Sequence, residues 1–234
     1  MFVNNLISSG FSGVFTACVE ITGLDSQSGE VRITASPEPL NSEPHACEIK
    51  TRLAVPSLTG AYNLAATIAA ASASGVDIGD AARALDGYEL KSGRTRMLSV
   101  GGRDCMLLIS KHENSLSYNQ SLAWAAGRGK PCTVLIFVDS ISRKYYTSET
   151  SWLWDVDFDI LSADTVKDIA FAGRYSNELM TRFAMTAVDP GKYRNVGDLE
   201  SLREYAGQCG TEDMYVITCF ADRSKLLKAF GTGK

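Results

Sequence analysis

Residues 151–161 read SWLWDVDFDIL and hold the densest chemistry in the chain. Two of the three tryptophans, Trp152 and Trp154, flank Leu153, and Asp155, Asp157 and Asp159 follow at alternate positions. The stretch allows three readings. In the first it is an anchored loop, with the rings packed on a core and the acids in water. In the second the carboxylates converge on a metal; this needs several oxygens at short spacing, and the turn glycine of a calcium loop is missing. In the third, packed aromatics hold one carboxylate rigidly so that it orients another group.

Few other residues could complete an active site. The only histidines are His45 and His112. The six cysteines, Cys18, Cys47, Cys105, Cys132, Cys209 and Cys219, include no C-x-x-C pair, so zinc-site spacing is absent. Cys105, Cys132 and Cys219 sit in apolar runs and read as small core residues. No G-x-x-x-x-G-K-[ST] phosphate loop occurs. The terminal Gly231-Thr232-Gly233-Lys234 is too short for one and precedes no helix. A chain so poor in histidine has little with which to build its own Cys-His or Ser-His pair.

The 234 residues are 45% hydrophobic and 21% charged, with net charge −4. That suits one large domain or two small ones with a substantial core. The charge balance gives no basic footprint for nucleic acid. No apolar run has membrane-spanning length, and residues 1–5 lack the charged start of a signal peptide. A cytoplasmic protein is expected.

The elements that must position the tryptophan-aspartate stretch follow from the patterning. Residues 18–24 and 29–35 alternate as strands around a turn-rich link, and residues 49–56 give a third strand after a proline-rich connection. Residues 60–75 are helical, rich in small residues that favour close packing, with Gly75 as the stop. Residues 78–88 form a second short helix. Residues 90–97 read as a linker and Gly101-Gly102 as a hairpin turn. Strands are then expected at 105–110, 132–139, 168–173 and 214–220, and helices at 117–127, 175–187, 199–207 and from 224. Such alternation predicts an α/β fold with a mostly parallel sheet and helices on its faces. Ligands of such sheets bind at the carboxyl ends of the strands, where Asp139 starts the loop leading to the tryptophans.

Several segments together resemble a known family. The helix GAYNLAATIAAASASGVD from Gly60, the sequence SGRTR from Ser92 and the alternating C-terminal unit look like the junction between the central and C-terminal domains of Mur ligases. SWLWDVDFDIL, AGRYSNELMTRFAMTAVDP from Ala172 and YVITCFADRSKLL from Tyr215 resemble the C-terminal domain of the MurT family, the Mur-ligase-like subunits of lipid II isoglutaminyl synthases. The resemblance covers residues 59–227. It implies that residues 1–93 are the remnant of a Mur ligase central domain and residues 94–234 a Rossmann-like C-terminal domain. It also implies a ligase of peptidoglycan synthesis that uses ATP and Mg2+ to activate the D-glutamate α-carboxyl of lipid II, at the membrane surface. Ammonia comes from a class I glutaminase subunit (GatD-like) that supplies the nucleophilic cysteine and its histidine. The Mur-like subunit lends the acid, here Asp155. The alternatives are a glutaminase-docking module without ligase chemistry, or another amide-forming Mur-type ligase such as a folylpolyglutamate type; the W-L-W-D motif speaks against the last.

The chain departs from the family pattern at the nucleotide. The phosphate loop and four-cysteine zinc ribbon of the family's ATPase domain are not in this sequence, which is expected to be a piece of a longer protein or a truncated product. The lysine–asparagine–proline loop becomes KHENSLSYNQ, keeping Lys111 and Asn119 without the proline. Gly93-Arg94-Thr95-Arg96 places Arg96 where the family has an acid, while Arg94 can still reach a phosphate. Arg94, Lys111 and Asn119 are the expected nucleotide contacts. The chain alone should bind Mg-ATP weakly, because a phosphate loop's amides and lysine do most of the holding. Calorimetric titration checks this, and micromolar binding would contradict it.

Overall fold

The computed structural model describes residues 18–25, 28–36, 47–53, 58–88, 95–111, 114–140 and 150–231. The chain divides into two compact units, Met1–Tyr88 and Glu89–Lys234.

In the first unit β1 (Cys18–Leu24), β2 (Glu30–Ser36) and β3 (Cys47–Arg52) form an antiparallel sheet in that order. Helices α1 (Leu58–Ala73) and α2 (Ile78–Leu85) pack on it, burying Val31 and Ile33 against Ala61, Leu64, Ile68, Ile78 and Ala82. Alternation sends Val31 and Ile33 inward and Arg32 out, as the period of two requires. The expected stop at Gly75 is present, with φ +84 and its amide on the Ser72 carbonyl.

The second unit is an α/β layer structure of the expected class. Its strands are β4 (Thr95–Val100), β5 (Arg103–Ser110), β6 (Cys132–Phe137), β7 (Val166–Ala172), β8 (Tyr193–Gly197) and β9 (Asp213–Cys219), in the order β4-β5-β9-β6-β7-β8. Only β4–β5 is antiparallel, a hairpin closed at Gly101-Gly102; the other four pairings are parallel. Every residue of β6 is buried, as a strand covered on both faces must be. Two strands depart from the expectation. Thr95–Met97, read as linker, belongs to β4, and β8 lies in a stretch given no element.

The connections explain the layers. From β5 to β6, β6 to β7 and β7 to β8 the chain moves one way across the sheet, and right-handed crossovers then fall on one face. That face carries α3 (Ser115–Ala126), two 3-10 turns (Ser151–Asp155 and Phe158–Ser162) and α4 (Ser176–Phe183). The step from β8 back to β9 reverses direction, so α5 (Leu199–Gln208) lies opposite with α6 (Arg223–Phe230). Leu202, Ala206, Leu226 and Phe230 pack there on Leu107, Leu135, Ala170 and Val216.

The carboxyl ends of the strands are tied by one polar network. Asp222 is fully buried, and its Oδ2 accepts from the Asp139 and Ser140 amides at 2.8 and 2.9 Å. Lys225 Nζ donates to Asp222 Oδ1 at 2.9 Å and to Asp139 Oδ2. Asp139 Oδ1 accepts from the Arg174 amide at 3.0 Å. Gly173 closes the approach between the ends of β6 and β7. Its φ is +101, and a Cβ there would stand 2.4 Å from the Val138 carbonyl oxygen, which already accepts from Tyr175 N at 3.1 Å. Asp139, expected at the start of the loop, is thus an anchor of that end.

Two outcomes follow. Gly173→Ala combines a left-handed backbone with a backbone collision and should lower stability by about 3 kcal/mol in denaturant unfolding. Burial raises the Asp139 carboxyl, but hydrogen bonds from Lys225 and the Arg174 amide, with the charges of both residues, outweigh it and hold the carboxyl below its ordinary value. A depressed carboxyl stabilises fully above its unfolded pKa of about 4 and loses that contribution as pH falls through the folded value. Asp139→Asn should therefore be less stable than the parent at pH 7, with the gap narrowing below about pH 4; unfolding curves across pH 2–7 measure it.

Candidate functional site

The tryptophan-aspartate stretch is built of tight turns. It forms the β6–β7 crossover as two 3-10 turns that pack between α3 and α4. The turns bury Trp152, Leu153, Val156, Phe158 and Leu161 and turn Trp154, Asp155, Asp157 and Asp159 outward. Trp152 stacks on Tyr118 of α3 at 5.0 Å between centroids. Phe158 meets Phe183 of α4 at 4.7 Å, and Phe183 in turn meets Phe171 of β7 at 4.4 Å. The ring planes are tilted, an arrangement aromatic quadrupoles favour.

The three aspartates have separate environments. Asp159 Oδ1 accepts from the Ala187 amide at 2.6 Å, tying the second turn to the segment after α4. Asp157 is fixed through its backbone, its amide donating to Asn119 Oδ1 at 2.8 Å. The Asp155 carboxylate is exposed, and no hydrogen bond or ion pair engages it among the described residues. The alternation of the sequence therefore does not gather three carboxylates on one side. Among the described residues no three His, Cys, Asp or Glu side chains converge as metal ligands.

What holds Asp155 surrounds it in sequence. The Leu153 amide closes on the Thr150 carbonyl at 2.9 Å. Arg182 of α4 donates from Nη2 to the Val156 carbonyl at 3.0 Å, and its guanidinium lies over the rings of Trp154 and Phe158 at 5.8 and 5.7 Å. An outward carboxylate between a half-exposed indole and a pinned backbone can accept a hydrogen bond from another molecule in a fixed direction. Sequence reasoning did not single out Arg182, because its partners lie 26 residues away in the chain.

The expected nucleotide contacts are placed as follows. Arg94 lies outside the described residues, as do His45 and His112. Lys111 is exposed at the end of β5, with its amide on Ser117 Oγ at 3.3 Å. Asn119 sits on α3 with its side-chain oxygen committed to Asp157. Arg96, on β4, is half-buried. Burial raises the thiols of Cys105 and Cys132, to about 12 and about 11, as suits inert core residues.

The family described as MurT ligase C-terminal matches residues 112–222. The MurT subunit of the glutamine-hydrolysing lipid II isoglutaminyl synthase of Streptococcus pneumoniae is 21% identical over 160 residues, which are 68% of this chain and 35% of that protein. A crystal structure of MurF from Acinetobacter baumannii superposes with TM-score 0.58 at 12% identity, covering 91% of this chain and 44% of that one. A folylpolyglutamate synthase from Thermotoga maritima gives TM-score 0.51 at 14% identity, covering 93% and 47%. The chain thus spans about a third of its curated relative and under half of these solved structures. Residues 112–222 thus match the MurT ligase C-terminal family, and the chain's fold, with its mostly parallel sheet, is similar to that of the Mur ligases.

Proposed function

We propose that this chain acts in ligation of peptidoglycan precursors, as part of a glutamine-dependent amidating ligase in which Asp155 serves a glutaminase partner. The observation that carries this reading is the outward Asp155 carboxylate, which pairs with none of the described residues and sits on a backbone fixed at both sides. In a Cys-His-Asp arrangement the partner's cysteine thiolate attacks the glutamine amide, and histidine passes its proton to the leaving ammonia. The carboxylate accepts the far ring N–H of that histidine, fixes its tautomer and stabilises the imidazolium. It must be rigid and must not be paired inside its own chain.

On this reading the ammonia reaches the D-glutamate α-carboxyl of lipid II, activated by ATP and Mg2+ in the complete enzyme, and yields the amide. The complex would work in the cytoplasm at the membrane surface, and among the described residues no helix is long and apolar enough to cross a membrane. A second reading, a glutaminase-docking module without ligase chemistry, draws support from Asn119, whose side-chain oxygen serves the loop rather than a nucleotide.

The test is co-expression with a class I glutaminase and assay of the complex. Asp155→Asn has nearly the same shape but donates where the histidine N–H needs an acceptor. It should cut glutamine hydrolysis on the order of 100-fold or more while the subunits remain associated. Asp157→Asn and Asp159→Asn should do much less. Three equal effects, or dissociation by Asp155→Asn, would reduce the stretch to a packed interface. Amidation from free ammonia should survive Asp155→Asn if ligase chemistry is present, which separates the two readings.

A further inference from the structure

We propose that Arg182 is the positioning residue for Asp155, fixing its backbone from α4 without pairing with its carboxylate. The proposal rests on the reading of Asp155 as the carboxylate that orients a partner's histidine. One guanidinium engages Asp155's neighbours on both sides. It lies over the Trp154 ring at 5.8 Å, donates to the Val156 carbonyl at 3.0 Å and lies over the Phe158 ring at 5.7 Å. These are the residues one before, one after and three after Asp155.

The geometry distinguishes positioning from charge pairing. A guanidinium commonly pairs with a nearby carboxylate through its forked donors. Here, among the described residues, no ion pair joins Arg182 to Asp155, although Arg182 touches the residues adjoining it. Pairing would occupy the oxygen that an imidazole N–H must reach. Arg182 Nε is buried without a hydrogen-bond partner. A planar cation can cover two rings and still donate in its plane; a lysine ammonium can donate but cannot stack over both. Trp154 is 52% exposed, and the Arg182 guanidinium lies over its ring.

A residue acting only through Asp155 has a signature that a general structural role lacks. In the complex of the full chain with a class I glutaminase, Arg182→Met should lower kcat for glutamine hydrolysis by about 10-fold, since small misplacement of a catalytic group is enough for that. KM for glutamine and the affinity between subunits should not move. Arg182→Lys should recover part of kcat. In the Asp155→Asn background, Arg182→Met should add less than about 2-fold, because effects through one group are not additive. Hydrogen–deuterium exchange of the chain without its partner should accelerate over residues 153–157 in Arg182→Met and not in Asp155→Asn. Full multiplicative loss in the double variant, or lost affinity with kcat unchanged, overturns the proposal. If Arg182→Met does not fold, Arg182→Lys carries the same cycle and exchange measurement. If Asp155→Asn leaves hydrolysis intact, the reading of Asp155 fails, and the exchange measurement alone decides whether Arg182 fixes the backbone: unchanged exchange overturns that too.

Discussion

A crossover made of 3-10 turns must be completed from outside itself. An α-helix pairs most of its own amides and carbonyls, whereas two five-residue 3-10 turns leave several over. In this chain the missing partners arrive from both flanking helices. Asn119 of α3 takes the Asp157 amide, and Arg182 of α4 takes the Val156 carbonyl. Asp159 reciprocates by accepting from Ala187. The conformation around Asp155 is therefore imposed by the packed helices rather than by local propensity, and it is as rigid as they are.

The aromatic residues make that imposition strong. Trp152, Leu153, Val156, Phe158 and Leu161 all point inward. Phe158, Phe183, Phe171 and Tyr193 form a chain of rings from the second turn through α4 to β7 and β8. Full burial of a phenylalanine is worth roughly 1.5–3 kcal/mol, and a tilted pair adds about 0.5–1.5. A polar loop of the same length would gain none of this. The spending of two scarce tryptophans is thereby divided: Trp152 seals the turn against Tyr118, while Trp154 stays half out beside the carboxylate.

Much of this fold was legible in the sequence, for identifiable reasons. The runs that became β5, β6, β7 and β9 are apolar and bounded by turn residues, and the helices α1, α3 and α5 carry clear composition or end signals. β8 escaped because YRNVG is an edge strand with little apolar content; none of its residues is buried. The first three residues of β4, Thr95 to Met97, read as linker because they follow on from a basic polar stretch. The 3-10 turns carry no periodicity that separates them from an extended strand, so the aspartates looked like a comb. Asn119 and Arg182 reach partners 38 and 26 residues away, contacts that only the assembled layer creates. Asp155 itself stood out from residue types alone, since an acid behind two tryptophans is rare enough to ask for a reason.

A carboxylate set on a pinned backbone, with no hydrogen bond or ion pair to the described residues, is an unusual use of structure. An exposed acid gains nothing for stability from being fixed, and ordering it opposes chain entropy. Here the backbone beside the acid is tied down by the chain itself, through buried aromatics and a guanidinium. A group prepared in this way loses little freedom when it accepts a hydrogen bond, which is where preorganised sites gain over flexible ones. The half-exposed Trp154 beside it adds a large, stiff surface of the kind that anchors interfaces. An internal pairing of Asp155 with Arg182 would give a more stable loop and a useless carboxylate. The arrangement seen, with the arginine on the backbone and the rings, keeps the acid available at a defined direction, and that is the property a histidine from another chain would require.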